Sequence, residues 1–177
     1  PYRRQRQMCI RDSYQVDFVD GALGFPGAEK LEQIILDKIA NCRSTEGQVI
    51  FTLDTHGEEY LSTAEGRKLP VPHCIKGTPG HALYGRVAEA VKPDDIVIEK
   101  PAFGSLELAD LLRRLAPEEA ELCGLVTDIC VISNAVIAKA ALPESRVTVD
   151  HSACSCADPE AHERALAVMR GVQIDVI

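Results

Sequence analysis

Two side chains that can bind a metal ion directly follow a strongly predicted strand. Residues 48–53 form a β-branched and aromatic run typical of a buried strand, and Asp54 and His56 come next. Side chains two positions apart on extended backbone point the same way, so this carboxylate and imidazole can bind one ion. Glu65 and His73 follow in a long stretch without periodicity, and such loops are usually functional or disordered. The four suit Zn²⁺, Mn²⁺ or Fe²⁺; a turn-capping aspartate with surface histidines is the other interpretation.

Cys130 is the strongest candidate nucleophile among the seven cysteines. It follows the strand pattern of residues 121–126 and opens an apolar helix over 130–141. A thiol at a helix N-terminus meets the positive end of the dipole, which favours the thiolate, and free N–H groups that can bind an oxyanion. Lys100, at the end of the strand predicted over 95–99, could lower the pKa of such a thiol. A buried core cysteine and a solvated lysine are the alternative interpretation.

The other cysteines carry a weaker signal. Cys154 and Cys156 form a CxC pair that could bind a metal or be oxidised reversibly, but no second pair lies near them, which favours ordinary loop residues. Cys74 is expected to pack beside His73. An odd number of cysteines in a chain too large to need disulfide staples indicates a reduced, cytoplasmic protein.

The composition excludes several classes of protein. The chain has 177 residues, 46% of them apolar and 26% charged, which is enough for one domain with a real core. No apolar run approaches the roughly 18 residues of a membrane span, and the start lacks the apolar segment of a signal peptide. The net charge of −8 argues against a nucleic-acid binder. We therefore expect neither a membrane nor a nucleic-acid partner.

Predicted strands alternate with predicted helices along the chain. The strands cover residues 48–53, 95–99, 121–126, 146–149 and 173–177, and the helices cover 28–40, 79–91, 106–115, 130–141 and 159–170. This alternation predicts an α/β fold, a three-layer sandwich with a mostly parallel, doubly wound sheet. The ends of the strands carry the ligand site in such sheets. A helix at residue 28 usually follows a strand, so we also expect a first strand before Phe18.

The N-terminal residues do not match the rest of the chain. Residues 3–12 read RRQRQMCIRD, which resembles the translation of a transposase sequencing adapter whose last two bases would begin the codon of Ser13. We therefore expect residues 1–13 to be a non-native, adapter-derived segment that replaces the first strand. The authentic sequence would be one domain over residues 14–177.

The adapter-derived segment can nevertheless imitate a strand. Met8 and Ile10 satisfy the apolar alternation of the missing element. Arg11 and Asp12 would then lie in or beside a buried strand, where unpaired charge is costly. We expect the chain to be less stable than a version with an apolar first strand.

Four motifs together resemble the isochorismatase-like cysteine hydrolases, and within that family the nicotinamidases. They are YQVDFVDGALGFPG from Tyr14, DTH at 54–56, VIEK ending at Lys100, and GLVTDICV at 124–131. The similarity covers residues 14–177, and the combination is far more specific than any single motif. It implies the isochorismatase-like hydrolase fold, a small-molecule amide substrate and a homo-oligomer.

The resemblance also implies a mechanism. Cys130 would attack the carboxamide of nicotinamide and form a thioester, with ammonia and nicotinate as products, and Lys100 would stabilise the thiolate. Backbone N–H groups of Val126 and Cys130 would hold the oxyanion, beside a cis peptide between Val126 and Thr127. Phe18 would line the substrate pocket. The metal, zinc first and manganese or iron as alternatives, would be held by Asp54, His56, Glu65 and His73 and would anchor the pyridine nitrogen. The resulting role is pyridine nucleotide biosynthesis through NAD salvage.

Two positions depart from the family pattern. The catalytic aspartate of the family falls at Ser13, and Asp12, one position earlier on a strand, would face the opposite way. We therefore expect impaired catalysis. An aromatic residue of some nicotinamidases falls at Pro70, which leaves Tyr60 or Tyr84 to supply a ring. The alternatives are a hydrolase of another small amide or carbamoyl compound, and an inactive ligand-binding relative.

Overall fold

A six-stranded parallel sheet forms the centre of the computed structural model, which describes residues 7–177. The strands are β1 (Gln7–Asp12), β2 (Gln48–Asp54), β3 (Ile96–Lys100), β4 (Glu119–Leu125), β5 (Arg146–Ser155) and β6 (Asp175–Val176). Their order across the sheet is β3-β2-β1-β4-β5-β6, and each neighbouring pair is parallel. The predicted α/β class with a parallel sheet is confirmed.

Helices cover both faces of this sheet. They are α1 (Val16–Val19), α2 (Leu31–Ser44), α3 (Ala64–Lys68), α4 (Gly85–Glu89), α5 (Leu106–Leu115), α6 (Ile132–Ala141) and α7 (Pro159–Gly171). Helix α2 packs against α4, whereas α5 and α7 pack against α6. The chain reverses its direction across the sheet after β3, so right-handed crossovers place these two groups on opposite faces. The result is the predicted three-layer sandwich.

The helix predicted over residues 79–91 is wrong. A 3₁₀ turn at Pro79–His81 and the short α4 are separated by extended backbone. The Tyr84 N–H donates to the Tyr14 carbonyl, and the Val16 N–H donates to the Ala82 carbonyl. The segment therefore satisfies its backbone against the residues that follow β1, which local periodicity cannot reveal.

Strand β1 lies between β2 and β4 in the middle of the sheet. Met8 and Ile10 are fully buried, as expected for a segment that imitates the first strand. Arg11 is also fully buried, with its Nη1 3.2 Å from Glu121 Oε1. Its Nε and Nη2 make no hydrogen bond to any described residue. The central strand thus contains a buried charged side chain at the position predicted from the sequence. The adapter origin of the segment stays a prediction.

One disulfide departs from the expectation of a reduced protein. Cys9 on β1 is bonded to Cys42 on α2, and the other five cysteines are free. The two residues are 33 positions apart in sequence, and only the packing of α2 on β1 brings them together. Within residues 7–177 no helix combines the length and the apolar character needed to cross a membrane.

Replacing the buried arginine should stabilise the chain. In an Arg11→Leu variant the unsatisfied guanidinium nitrogens disappear, while Glu121 keeps Lys38 as a partner at 3.1 Å. We expect the free energy of unfolding to rise by about 1 to 4 kcal/mol, measured by urea denaturation. The control is Arg146→Leu at the exposed end of β5, where the loss of surface ion pairs should change stability by less than about 1 kcal/mol. Equal or lower stability of Arg11→Leu would contradict this account of β1.

Candidate active site

The carboxyl ends of the central strands bring a lysine, a cysteine and a carboxylate together. Asp54 ends β2 and Lys100 ends β3, and the two residues are paired across the sheet. Lys100 is fully buried, with its Nζ 3.4 Å from the Sγ of Cys130 and 3.7 Å from Asp54 Oδ1. One ammonium group therefore lies between the predicted nucleophile and the predicted metal ligands.

The four predicted metal ligands converge on one point. The Nε2 atoms of His56 and His73 lie 3.0 and 3.3 Å from Asp54 Oδ2, and 3.6 and 3.5 Å from Glu65 Oε1. One ligand atom from each residue lies within 4.8 Å of the other three. These four side chains are the only group of this kind within residues 7–177.

The chemistry of the cluster fits a divalent cation. Asp54 Oδ1 and Glu65 Oε1 are buried carboxylate oxygens that make no hydrogen bond to a described residue. The Nδ1 of His73 lies 2.8 Å from the Val71 carbonyl, to which it donates, so Nε2 is the ring nitrogen that faces the two carboxylates as a ligand atom. Two imidazoles and two carboxylates are a donor set that Zn²⁺ accepts, with Mn²⁺ and Fe²⁺ as alternatives.

The electrostatics of the cluster follow from burial and mutual contact. Burial alone would raise the pKa of Asp54, but hydrogen bonds from His56 and His73 and the charge of Lys100 lower it well below its usual range. Burial raises the pKa of Glu65. The pKa of His73 is raised: burial opposes the charged form, and the contacts with Asp54 and the Val71 carbonyl outweigh it.

Aromatic rings flank the two histidines. Phe18, the predicted pocket residue, has its ring centroid 5.6 Å from that of His73. Tyr60 packs edge-on against His56 at 4.8 Å and against His73 at 5.0 Å. Tyr84 instead packs on the ring of Tyr14. Of the two candidates to replace the family aromatic at Pro70, only Tyr60 contacts the metal-ligand cluster.

Cys130 lies in a tight turn between β4 and α6. A π-helical turn spans Thr127–Val131, and Cys130 is buried within it. The predicted cis peptide between Val126 and Thr127 is wrong by one residue, because the cis bond joins Leu125 to Val126. The bend thus comes directly after the last residue of β4, and Thr127 already belongs to the helical turn.

Gly124 lets the backbone just before the Cys130 turn approach β1. Gly124 has a φ of 133°, and a Cβ placed on it would lie 1.9 Å from the Asp12 carbonyl oxygen. Any side chain at this position would push β4 away from β1. The glycine of the GLVTDICV motif is therefore a requirement of close backbone contact.

Burial outweighs the groups that favour a Cys130 thiolate. Complete burial raises the pKa of Cys130 to about 12, while the charge of Lys100 and a hydrogen bond with Ser13 lower it. Lys100 itself has a raised pKa: burial disfavours its charge, but its interactions with Cys130, Asp12 and Asp54 outweigh burial. The Cys130 side chain therefore carries its proton at neutral pH.

Asp12 does not face away from the site as the strand alternation predicted. Its carboxylate accepts hydrogen bonds from Thr52 Oγ1 at 2.8 Å, Ser13 Oγ at 2.9 Å and Asn134 Nδ2 at 2.7 Å. A φ of 48° at Ser13 ends the extended backbone directly after Asp12, so the alternation does not continue and the Ser13 hydroxyl lies beside the Asp12 carboxylate. Burial raises the pKa of Asp12, and the charge of Lys100 lowers it.

Asn134 is a site residue that the sequence analysis did not identify. It is buried on α6, donates to Asp12 and accepts the Ser105 N–H at 2.9 Å through Oδ1. A single amide inside the mostly apolar helix predicted over 130–141 was the available signal. Its side chain ties α6 to the N-terminus of α5 and to the end of β1.

Comparison with known proteins identifies the family. The sequence profile of the Isochorismatase domain family matches residues 8–177. The chain belongs to the isochorismatase family. The isochorismatase family protein PncA of Bacillus subtilis (strain 168), itself described as uncharacterized, is 33% identical over 172 residues that cover 90% of this chain and 91% of that protein.

Two further relatives carry more specific descriptions. The nicotinamidase/pyrazinamidase of Mycobacterium tuberculosis (strain ATCC 25618 / H37Rv) is 27% identical over 188 residues, covering 97% of this chain and 98% of that protein. The crystal structure of the pyrazinamidase of Pyrococcus horikoshii in complex with zinc superposes with a TM-score of 0.84 and 26% identity, over 97% of this chain and 98% of that chain. The family membership and the fold predicted from the sequence are thereby confirmed.

The reactivity of Cys130 should follow its raised pKa. In chelator-treated protein we expect its alkylation by iodoacetamide to accelerate steadily from pH 7 to pH 10, because the thiolate fraction grows towards a pKa of about 12. Lys100→Met should slow the alkylation at each pH, since the positive charge that lowers this pKa is gone. Peptide mass spectrometry separates Cys130 from Cys156, whose rate should not change. A Cys130 rate that is constant over this range would show a thiolate already formed.

Proposed function

We propose that the chain is a metal-dependent amidohydrolase that converts nicotinamide to nicotinate and ammonia through a thioester on Cys130. The observation that carries the proposal is the position of Lys100, whose Nζ lies within 4 Å of both Cys130 Sγ and Asp54 Oδ1. A substrate that reaches from the Cys130 thiol to the metal-ligand cluster would need an electrophilic carbon at one end and a metal-binding atom at the other. Nicotinamide has both, a carboxamide and a ring nitrogen.

The residues of this chain divide the reaction between them. A carboxylate at the family aspartate position, residue 13, would accept the proton of Cys130, whose Sγ attacks the carboxamide carbon while Lys100 stabilises the thiolate by its charge. Backbone N–H groups of Val126 and Cys130 would bind the oxygen that becomes negative. The C–N bond then breaks, and the nitrogen leaves as ammonia after it takes up the thiol proton. Water adds to the thioester and the C–S bond breaks, which releases nicotinate and restores the thiol.

The metal-ligand cluster would select the substrate. A divalent cation held by Asp54, His56, Glu65 and His73 would supply a Lewis acid for the pyridine nitrogen. Phe18 and Tyr60, which pack on the two histidines, would flank the substrate ring and exclude water. The relatives described as nicotinamidase/pyrazinamidase and as a zinc-bound pyrazinamidase support this choice of ring amides.

We further propose that the chain lacks its proper base because residues 1–13 are not native. Support comes from Arg11, a buried cation with two unsatisfied nitrogens in the central strand, and from Ser13 at the position of the family aspartate. Asp12 is a poor substitute, since three hydrogen bonds hold its carboxylate on Thr52, Ser13 and Asn134. The thiol proton then has no well-placed acceptor.

Moving the carboxylate by one residue should restore activity. We expect the Asp12→Val/Ser13→Asp double variant to release ammonia from nicotinamide at least about 100-fold faster than the parent chain, the range of a positioned general base. Asp12→Val alone is the matched control and should gain nothing, and Cys130→Ala in the double variant should abolish turnover. If the double variant is no faster than the parent chain, the missing aspartate at position 13 does not explain the impaired catalysis.

Metal dependence should separate ring amides from other amides. After chelation the restored enzyme should lose hydrolysis of nicotinamide and pyrazinamide, and Zn²⁺ or Mn²⁺ should return it. Benzamide has no ring nitrogen, so its slow hydrolysis should not depend on the ion. If benzamide or a carbamoyl compound is the better substrate, the chain is a different amidohydrolase; if metal and nicotinamide bind without turnover, it is a ligand-binding relative.

A further inference from the structure

Asp17, which lies outside the ligand set, holds the backbone next to one of its histidines. Its Oδ2 accepts the N–H of Cys74 at 2.8 Å, and its Oδ1 accepts the N–H of Ala22 at 3.2 Å. Cys74 directly follows the ligand His73. A carboxylate on α1 is therefore attached to the loop that carries the second histidine, 57 residues further along the chain.

The residue that Asp17 holds has an unfavourable backbone conformation. Cys74 has a φ of 47°, in the left-handed region that residues with a side chain rarely adopt. Its side chain is fully buried, and it is a cysteine that takes a conformation for which glycine is the usual residue. The hydrogen bond from its N–H to Asp17 is a specific interaction that offsets this cost.

The turn at Cys74 sets the distance between the two histidines. The Cys74 carbonyl accepts the His56 N–H at 3.0 Å, and the Lys76 N–H donates to the His56 carbonyl at 2.8 Å. The segment after the turn thus lies alongside His56 as a short parallel bridge. His73, on the other side of the turn, is brought to a ring-centroid distance of 4.9 Å from His56.

A glycine closes the region around the carboxylate. A Cβ on Gly80 would lie 2.1 Å from Asp17 Oδ2, so only glycine allows this loop to cover the side chain. The Gly80 carbonyl also lies 4.0 Å from the thiol of Cys74. The contact between Asp17 and Cys74 is consequently part-buried, and reduced contact with water strengthens a hydrogen bond to a carboxylate.

We propose that Asp17 is a positioning residue of the metal site: through Cys74 it fixes His73 against His56 and so sets the affinity for the ion. The inference rests on the metal site of the proposed function and extends it to a residue that does not touch the ion. Nothing in the ligand motif itself requires an aspartate at this position. Its effect should appear in metal binding without any substrate.

The test is the Zn²⁺ affinity of the full chain, measured by competition with a chromophoric chelator. Asp17→Ala should weaken binding about 10-fold or more, the usual range for partners that orient metal ligands. Asp17→Asn, which keeps one acceptor oxygen and the shape of the side chain, should lose less. Asp158→Ala is the matched control: Asp158 also accepts a backbone N–H, that of Glu160 at 2.9 Å, but at α7, so the affinity should not change.

A second substitution at the turn distinguishes this role from general destabilisation. If Asp17 acts by holding Cys74 in its left-handed conformation, glycine at 74 should need that help less. We therefore compare the loss of Zn²⁺ affinity caused by Asp17→Ala in two backgrounds, the parent chain and Cys74→Gly. The loss should be smaller in the Cys74→Gly background. Equal losses in the two backgrounds would refute the coupling through Cys74.

The outcomes separate this inference from the proposed function. Unchanged Zn²⁺ affinity in both Asp17 variants overturns the positioning role, whether or not nicotinamide is hydrolysed. A parent chain that binds no Zn²⁺ overturns the metal site and the positioning role together. A restored enzyme that hydrolyses no amide, while Asp17→Ala still weakens Zn²⁺ binding, overturns the proposed reaction and leaves the positioning role supported.

Discussion

A buried lysine needs negative partners, and this requirement organises the carboxyl edge of the sheet. Lys100 is fully buried, and an ammonium group removed from water is costly unless it is paired. Its partners are the Asp54 carboxylate, the Cys130 sulfur and the Ala102 carbonyl. The same charge that requires these partners makes the thiolate and the ionised Asp54 more favourable. Cys130 and the predicted metal-ligand cluster are therefore electrostatically coupled through Lys100.

The pairing of parallel strands places the groups that are coupled. Asp54 and Lys100 are in register at the ends of adjacent strands, and Cys130 follows a third strand after one turn. Loops after β2 bring the remaining ligands back over the same edge. The rigid part of the site is thus set by strand pairing, whereas His73 depends on a turn held by Asp17. This division explains why affinity for the ion should be sensitive to residues that never contact it.

Much of the site could be predicted from the sequence because its signals are local. The strand before Asp54, the strand before Lys100 and the turn before Cys130 each combine a periodic pattern with a chemically distinctive residue at the end. The residue types and the strand-helix alternation predicted the four ligands and the α/β class, and the resemblance of four motifs to one family added the specific fold. The structure brings all four predicted ligands together.

The features that escaped prediction depend on contacts between distant segments. The helix expected over residues 79–91 is broken by backbone hydrogen bonds to the segment after β1. The disulfide between Cys9 and Cys42 and the buried bonds of Asn134 likewise join elements far apart in sequence. Asp12 was assigned to the wrong side because alternation assumes extended backbone, and Ser13 leaves that conformation. Local pattern cannot supply any of these.

The most direct test of this account is anomalous diffraction at the zinc edge from crystals of Cys130→Ala grown with Zn²⁺ and nicotinamide. We expect a peak bound by Asp54, His56, Glu65 and His73, with the ring nitrogen of nicotinamide at the ion and its carboxamide carbon facing residue 130. Zinc at another place, or nicotinamide bound away from both the ion and residue 130, would contradict it.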